Sequence, residues 1–355
     1  MKSNAKSKIM VLIALGILLG LSPINTVNLS FIVGNNSESS NCHDNINFDK
    51  KYLKISAISG KIHIDNNWTA AKSAGICTGN GTYSEPFVIE DLVIDPGSGV
   101  TCIVIENSNV YFRIENCSLL HSHGAIRLSS VINSLIITNT CSSNYYGIYL
   151  SECNNITISG NTVNNNKNDG IYLMECNDIY VSGNTANNNE REGTCYGILL
   201  NKCNNISVSG NNVNDNDRGG IYLYFSYDIS VSGNTASNND MEGIHLYYSH
   251  DISVSGNTAN NNDENGIYVV YSDYNTISGN TANDNKCGIF LFGSRYNTIS
   301  GNTFLGNDRC IVEKDCEGNI LENNDCGIIP GYNLFFLLGA LSVAVILTIK
   351  KLKKP

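Results

Sequence analysis

A repeat of about 23 residues runs through the middle of this 355-residue chain and restricts its fold more than any other feature. Regular copies, such as GIYLSECNNITISGNT, begin at Gly147, Gly170, Gly197, Gly220, Gly243, Gly266 and Gly288, and less regular ones at Cys102, Gly124 and Cys310. Each copy holds two short runs that alternate apolar and other residues, which predicts strands. Turn-forming Gly, Asn, Asp and Ser separate these runs. The sequence therefore predicts an all-β fold, a right-handed parallel β-helix of about ten coils of 22–23 residues.

Equal positions in successive coils predict columns of stacked side chains. Six residues after each coil start we expect a column of small residues: Ser108, Ser130, Cys153, Cys176, Cys203, Ser226, Ser249, Ser272, Ser294 and Cys316. Fourteen residues after the start we expect a column of asparagines, with Thr138 as the exception: Asn116, Asn161, Asn184, Asn211, Asn234, Asn257, Asn280, Asn302 and Asn324. Stacked amides one coil apart predict a hydrogen-bonded ladder that is structural rather than catalytic.

The two ends predict export and a membrane anchor. Lys2, Lys6 and Lys8 precede an apolar run, so residues 1–27 are interpreted as a signal peptide or an uncleaved N-terminal anchor. Residues 28–101 are assigned to an N-terminal region and cap, 102–326 to the repeats and 327–331 to a linker. Residues 332–349 predict a transmembrane helix, and the lysines of 350–355 predict a cytoplasmic tail. The β-helix is then expected outside, on the cell surface.

Composition restricts the partners. The net charge is −10, and the region between the two basic ends holds 15 Lys and Arg against 32 Asp and Glu. Such a surface disfavours nucleic acid and anionic polysaccharide, and favours cations or neutral glycans. Seven Asn-x-Ser/Thr sequons weakly support export, at Asn28, Asn35, Asn67, Asn80, Asn116, Asn155 and Asn205.

The segment GTYSEPFVIEDLVIDPG at Gly81 to Gly97, followed by the repeats, resembles the opening of NosD-like right-handed β-helix proteins. These are carbohydrate-binding and sugar-hydrolase-type proteins common on archaeal surfaces. The likeness covers roughly residues 68–325 and is specific for fold but not for activity. It implies that the chain before Cys102 caps the helix and that residues 310–326 close it. It also raises copper handling as a remote alternative, with Cu(I) on the thiol column, although the His121/His123 and His245/His250 pairs lack further ligands.

No catalytic set known from β-helix hydrolases or lyases can be placed on this sequence. Asp178, Asp228 and Asp251 share one column and are candidates for paired acid and base work. The competing interpretation is that they are turn residues, because Asn155 and Asn205 occupy the same column. No cofactor or metal motif is evident, and Ca²⁺ is left open without one.

Aromatic residues predict a contact surface. Tyr149, Tyr172, Tyr222, His245, Tyr268 and Phe290 lie between inward apolar residues and should point outward. The candidate ligand-binding residues are Tyr222, Tyr224, Tyr247, His245, Tyr268 and Tyr271. Aromatic faces beside Asp and Asn suit sugar rings, whereas stacked tyrosines also simply stabilise parallel sheets. Both interpretations stay open here.

Two irregular features remain. Four extra residues within Glu190 to Cys195 predict an outward loop, interpreted as tolerated rather than as the lip of a groove. The 13 cysteines predict disulfides at the caps, among Cys42 and Cys77 and among Cys310, Cys316 and Cys326. The odd count leaves at least one thiol unpaired or pairing between chains.

Two functions follow. The favoured one is a non-enzymatic, membrane-anchored surface protein that binds glycans or envelope proteins through its aromatic face. The alternative is a carbohydrate-active enzyme, a polysaccharide lyase or glycoside hydrolase, with its acids on turns.

Overall fold

The computed structural model describes residues 56–58, 60–190 and 195–327, which all lie in one compact unit comprising residues 53–355. The segments predicted as leader, membrane helix and basic tail, and residues 191–194 of the insertion, lie outside the described residues. Among the described residues no helix is long and apolar enough to span a membrane.

Twenty-six short strands and one described helix follow each other along the chain, and the strands form three parallel sheets. Sheet one contains β1 (Ser56–Ile58), β4 (Leu92–Ile94), β7 (Ser118–Leu120) and β10 (Thr140–Ser142). Sheet two contains β2 (Ile62–Asp65), β5 (Thr101–Glu106), β8 (Gly124–Ser129), β11 (Tyr146–Ser151), β13 (Ile171–Met174), β15 (Tyr196–Asn201), β17 (Gly219–Tyr224), β19 (Ile244–Tyr247), β21 (Asn265–Val270), β23 (Cys287–Phe292) and β25 (Arg309–Lys314). Sheet three contains β3 (Phe87–Glu90), β6 (Phe112–Glu115), β9 (Ile132–Ile137), β12 (Asn154–Ser159), β14 (Asn177–Ser182), β16 (Asn204–Ser209), β18 (Tyr227–Ser232), β20 (Ser253–Ser255), β22 (Thr276–Ser278), β24 (Thr298–Ser300) and β26 (Ile320–Glu322).

Each strand pairs with the equivalent strand of the next coil, so the predicted parallel β-helix is confirmed. Isolated parallel bridges continue sheet one beyond β10, from Thr140 through Thr162 to Asp325. Alternation turns one side of every strand inward, where stacked Ile and Leu columns form a continuous core. In sheet two, for example, Ile148 pairs with Ile171 and Leu150 with Leu173, and all four are buried.

The helix α1 (Trp68–Ser73) covers the first coil. The Trp68 ring lies 4.9 Å from both the Phe87 and the Phe112 rings, and its indole N–H donates to Ser108 Oγ at 2.8 Å. Burying such a ring contributes roughly 2–3 kcal/mol. At the other end a Cys310–Cys326 disulfide joins Cα atoms 5.4 Å apart, which confirms one of the predicted cap pairings, whereas Cys77 is a buried free thiol.

The asparagine ladder is present, with a corrected register in its first two coils. Asn161 donates from both its backbone N–H and its side chain to Asn184 Oδ1 at 2.9 Å, and the pattern repeats to Asn324. In the second coil the ladder residue is Asn139, not Thr138. The strand pairing aligns Cys102 with Ala125, so the second coil begins at Ala125, one residue later than the predicted start at Gly124. Asn116 is likewise outside the ladder: it adopts φ 53° at a turn, and Cys117 takes its place.

The same shift corrects the column of small residues. Val131 rather than Ser130 is the buried member, since Ser130 lies at the adjacent turn with φ 52°. A second asparagine ladder, which the sequence analysis did not identify, runs from Asn144 through Asn166 and Asn189 to Asn307. Both ladders satisfy amides that would otherwise be buried without partners.

Candidate functional site

The outer side of sheet two carries a column of aromatic residues, here called the tyrosine strip: Tyr149, Tyr172, Tyr222, His245, Tyr268 and Phe290. The pairing register places them in successive coils, as the repeat predicts. Leu199 interrupts the column between Tyr172 and Tyr222. At this gap the Tyr196 ring from the same strand stacks on Tyr222 with centroids 4.6 Å apart.

The rings of this surface stack on one another along the coil axis. Tyr222 and Tyr268 lie 4.7 and 4.8 Å from the His245 ring between them, close to the spacing of adjacent strands. A neighbouring column is stacked more nearly in parallel, with the Phe225 and Tyr248 rings 4.9 Å apart and their planes at 5°. Ring faces are therefore largely covered by other rings, and the strip presents ring edges and hydroxyls outward.

The six predicted ligand-binding residues lie together on this side. Tyr222, His245 and Tyr268 belong to the tyrosine strip, Tyr224 and Tyr247 pair in the next outward column, and Tyr271 lies at the following turn. Their proximity agrees with the sequence pattern, and ligand binding by them stays a prediction.

Five ionisable side chains at the centre of the strip form what we call the polar cluster: Asp169, Tyr196, Arg218, Glu242 and His245. Four of them lie at the start of a strand of sheet two, one in each of four consecutive coils. Asp169, Arg218 and Glu242 precede their strands, and Tyr196 is the first residue of β15. Of these five residues, the sequence pattern predicts only His245 as part of a site. The signal that was missed is the variable position before each repeat glycine, which holds Asp169, Tyr196 and Glu242.

Gly219 makes room for the cluster. It pairs with Tyr196 in the register of strands β15 and β17. A Cβ at this position would lie 2.9 Å from the Glu242 carbonyl oxygen and 3.1 Å from the Tyr196 ring. Without a side chain at this rung, the Arg218 guanidinium lies over the Tyr196 ring, 5.1 Å from its centroid. Such a cation–π contact contributes roughly 0.5–2 kcal/mol.

The polar cluster is buried but incompletely hydrogen-bonded. Tyr196, Glu242, Asp169 and His245 are 3%, 5%, 6% and 8% exposed. The Tyr196 hydroxyl, Arg218 Nε and both ring nitrogens of His245 are buried without a hydrogen-bond partner among the described residues. His245 Nδ1 lies 3.8 Å from the Glu242 carboxylate, too far for a hydrogen bond. Orphan atoms of this kind normally cost about 1–3 kcal/mol each, so their concentration in one place needs a reason.

Burial shifts the protonation of the polar cluster. It raises the pKa of Asp169 to about 7, against the Tyr196 backbone N–H and the Arg218 charge, which lower it. It also raises the pKa of Glu242 to about 7, again opposed by Arg218. Burial and the Arg218 charge lower the pKa of His245 to about 3, and burial raises the pKa of Tyr196. Near neutral pH the cluster therefore combines a neutral imidazole, a fixed cation and two carboxyls able to gain or lose a proton.

The predicted catalytic carboxylates lie elsewhere, on sheet three and its turns. Asp178, Asp228 and Asp251 have φ values of 54°, 53° and 57°, the left-handed conformation typical of turn residues. Asp178 accepts hydrogen bonds from the side chains of Asn154 and Asn205. Asp228 and Asp251 are exposed. Their geometry favours the turn interpretation, and a catalytic role for them stays a prediction.

Five of the predicted glycosylation sites are described. Asn67, Asn80, Asn116, Asn155 and Asn205 are all exposed, as modification requires, whereas Asn28 and Asn35 lie outside the described residues.

Comparison with known proteins places the fold. Residues 75–235 match the family profile of the right-handed β-helix region, and residues 192–327 match that of the periplasmic copper-binding protein NosD. No curated protein matches the sequence.

Solved structures with this fold include the A-module of mannuronan C-5 epimerase AlgE4 from Azotobacter vinelandii, at 15% identity and TM-score 0.50 over 75% of this chain and 95% of that one. ORF18 of Geobacillus virus E2 has 11% identity and TM-score 0.55, covering 73% of this chain and 58% of that one. The Dettilon tailspike protein has 15% identity and TM-score 0.50, covering 72% and 61%. At these identities the likeness establishes the fold alone.

The described residues do not fit a copper site. Residues 60–190 and 195–327 contain no group of three or more His, Cys, Asp or Glu side chains that could hold a metal ion. The thiols of Cys153, Cys176 and Cys203 each donate to the carbonyl two residues earlier in their own coil. Serines of the same column, such as Ser226, make the same bond. The ladder of parallel coils and the two matched profiles show that the chain folds as a right-handed parallel β-helix whose residues 192–327 are similar to NosD.

Proposed function

We propose that this protein binds polysaccharide along the outer side of sheet two, with the polar cluster at the centre of the site. The observation that carries the proposal is the set of buried polar atoms at Tyr196, Arg218 and His245 that have no hydrogen-bond partner among residues 60–190 and 195–327. The asparagine ladders, in contrast, pair their buried side-chain amides with neighbouring coils. Polar atoms left without partners beside hydroxyl-bearing ring edges are suited to a ligand rich in hydroxyl groups.

Two further observations support this proposal. The strip runs along the coil axis, so it offers a similar set of side chains about every 4.8 Å, which suits a linear polymer. The fold of this protein is also that of a mannuronan epimerase module and of a tailspike protein. A glycan would meet ring edges and hydroxyls here rather than ring faces, which differs from the stacking expected from the sequence.

Isothermal titration of the full chain with a panel of neutral and acidic oligosaccharides tests the proposal. Arg218→Gln should weaken binding at least tenfold, because one charge-assisted hydrogen-bond donor contributes about 1.5–3 kcal/mol. The matched control Arg295→Gln, at an exposed turn, should leave affinity unchanged. Equal affinity of the wild type and Arg218→Gln would contradict the proposal.

A second candidate function is proton-transfer chemistry on the bound sugar, and the titration of Asp169 and Glu242 near neutral pH favours it. Their strands β13 and β19 are three coils apart, so their Cα atoms are separated by roughly 14 Å. Paired carboxyls of glycoside hydrolases lie about 5–9.5 Å apart. The two carboxyls are therefore too far apart to act as the acid–base pair of a glycoside hydrolase, and proton transfer by a single carboxyl, as in lyase or epimerase chemistry, is the form of this second function that we propose.

Mass spectrometry and ultraviolet absorbance of polysaccharide incubated with the protein test this second function. An unsaturated or epimerised product should form with the wild type and disappear with Glu242→Gln. Product formation that persists unchanged in the Asp169→Asn/Glu242→Gln double variant would exclude catalysis by this cluster. The Asp228→Asn/Asp251→Asn double variant tests the earlier candidates and should be fully active.

We also propose that the β-helix is displayed outside the cell, held by residues 332–349, where a glycan or a cell-envelope protein would be its partner. The apolar run and its following lysines support this placement. Protease treatment of intact cells should degrade the β-helix and leave a short membrane-bound C-terminal fragment. Protection of the whole chain would contradict external display.

A further inference from the structure

A small open pocket lies on the opposite long sheet, near the start of the β-helix. Its cavity volume is about 160 Å³, and its lining includes Tyr83, Tyr111, Arg113, Ser134, Leu135 and Asn155. This volume is below the roughly 300–1,000 Å³ of pockets for drug-sized ligands, so it suits a single small ring. We call it the Tyr83 pocket.

Ser134 creates the hollow. Its backbone pairs with Phe112 in one coil and Ile156 in the next, so it occupies an inward position that is otherwise apolar. It is 3% exposed, and its hydroxyl has no hydrogen-bond partner among the described residues. Because the Ser134 side chain is smaller than those of Phe112 and Ile156 above and below it, the pocket extends inward to this position.

The aromatic side of the pocket differs from the tyrosine strip. Tyr83 is 83% exposed and meets Tyr111 edge-on, with centroids 5.4 Å apart and planes at 81°. Its faces are not covered by a parallel stack of rings. An exposed ring face beside the apolar Leu135 side chain is the surface on which the C–H face of a sugar packs.

The polar side of the pocket offers a cation and amides. Arg113 Nη2 is 3.5 Å from Glu115 Oε1, a loose and partly buried pair, and the buried Arg113 Nε has no hydrogen-bond partner among the described residues. The Asn155 side-chain amide donates to Asn133 Oδ1 at 2.8 Å, which orients it at the pocket edge. A guanidinium with unused donors matches a carboxylate, and amides match hydroxyl groups.

We infer that the Tyr83 pocket binds one pyranose ring carrying a carboxylate, that is, a single uronic acid residue. The net charge of the chain disfavours a long anionic polymer, but Arg113 is the only charged residue among the described residues that line this pocket, and it supplies a local positive charge. The ring packs on Tyr83 and Leu135, its carboxylate pairs with Arg113, and its hydroxyls meet the Asn155 amide. The site lies on sheet three, and none of its residues belongs to the polar cluster or the tyrosine strip. It is therefore a second, independent carbohydrate site.

The test is titration of the full chain, made in a host without N-glycosylation because Asn155 is a sequon, with glucuronic acid and with glucose. Glucuronic acid should bind with about tenfold higher affinity than glucose, since only it pairs with Arg113. Arg113→Gln should abolish this preference. The exposed Arg127→Gln, on sheet two, is the matched control and should keep it.

Ser134→Val provides a second variant that does not threaten the fold, because it places an apolar residue in an apolar column. It should fill the hollow and weaken glucuronic acid binding at least tenfold, with an unchanged or higher melting temperature. Equal affinities for glucose and glucuronic acid, or wild-type binding by Ser134→Val, would overturn the inference. Arg218→Gln separates the two sites: it should affect oligosaccharide binding at the strip and leave this pocket unaffected.

Discussion

The inner asparagine ladders and the outer polar cluster differ in how completely their buried polar atoms are hydrogen-bonded. Asn234 accepts two hydrogen bonds from Asn211, donates two to Asn257 and one to the Val208 carbonyl, all at 2.9 Å. The ladder repeats this set from Asn161 to Asn302. In the polar cluster no two coils are alike, and Tyr196, Arg218 and His245 retain atoms that have no partner in the described part of the chain.

This difference separates structure from function in a repeat protein. A column that is identical in every coil can be explained by stacking alone, because each side chain satisfies its neighbours. A column that changes in every coil and leaves buried polar atoms unsatisfied costs stability, which is typical of sites shaped for a ligand. The predictions that follow test whether the ladder carries stability and the cluster carries binding.

The largest effect is expected from breaking the ladder. Asn234→Ala leaves the backbone N–H of Asn211 and the carbonyl of Val208 buried without these partners. Two or three such losses at about 1–3 kcal/mol each should lower the free energy of unfolding by about 3–5 kcal/mol. Urea denaturation measures this directly.

Asn212→Thr is the control, because Asn212 is exposed and its bridge partners in neighbouring coils are Thr185 and Thr235. Its free energy of unfolding should stay within about 0.5 kcal/mol of the wild type. A loss of less than about 1 kcal/mol in Asn234→Ala would show that the ladder is not a main source of stability.

The next effect is a pH dependence that belongs to the cluster. Asp169 and Glu242 have ordinary pKa values of 3.8 and 4.5 and folded values raised to about 7. Below about pH 4 both carboxyls are protonated in the folded and in the unfolded chain, so they do not change the free energy of unfolding. As the pH rises to about 7 the unfolded chain ionises first, so stability falls by a few kcal/mol and then levels off.

His245 acts in the opposite direction, since its lowered pKa costs stability as the pH falls from 6.5 towards 3. Subtracting the profile of Asp169→Asn/Glu242→Gln from that of the wild type isolates the carboxyls. Denaturation midpoints between pH 4 and 8 should show a falling difference across this window. A flat difference would mean that the two carboxyls are ionised at neutral pH in the folded protein.

Most of the fold could be predicted from the sequence, because each coil of a parallel β-helix has nearly the same length and the same residue types at equivalent positions. The coil starts from Gly147 onward, the asparagine column and the outward aromatics follow directly from spacing. The errors lie in the first two coils, where the extra residue before Phe112 shifts the register and no regular Gly-Asn signal marks it.

The candidate site was harder to predict. The sequence pattern favours positions that repeat, such as Asp228 and Asp251, whereas the cluster is built from positions that do not. Asp169, Tyr196 and Glu242 share a position before the repeat glycine but have different side chains, so no motif links them. Their burial and missing hydrogen bonds depend on neighbours in other coils, which only the folded structure brings together.

A smaller effect, of opposite sign, is expected from His245→Phe. Phe290 occupies the same column two coils later, so a phenyl ring fits the stack. The change removes two buried ring nitrogens that have no hydrogen-bond partner among the described residues, and it should raise the free energy of unfolding by about 1 kcal/mol. Polysaccharide binding should fall at the same time, measured by the same titration. Tyr180→Phe, at an exposed position of sheet three outside the strip, is the control and should change neither quantity. A fall in stability of His245→Phe would show that the imidazole is structural.

The smallest effect is expected from the column of cysteines Cys153, Cys176 and Cys203, whose thiols make structural hydrogen bonds within their own coils. Each thiol of Cys153, Cys176 and Cys203 donates to a carbonyl as the serines of later coils do, and the Cys203 backbone N–H donates to Ser226 Oγ at 3.1 Å. The triple Cys→Ser variant should therefore unfold within about 1 kcal/mol of the wild type. Calorimetric titration with Cu(I) should show no difference between the two proteins. A large loss of stability, or Cu(I) binding that disappears with the three thiols, would move this column from the structural group to the functional one.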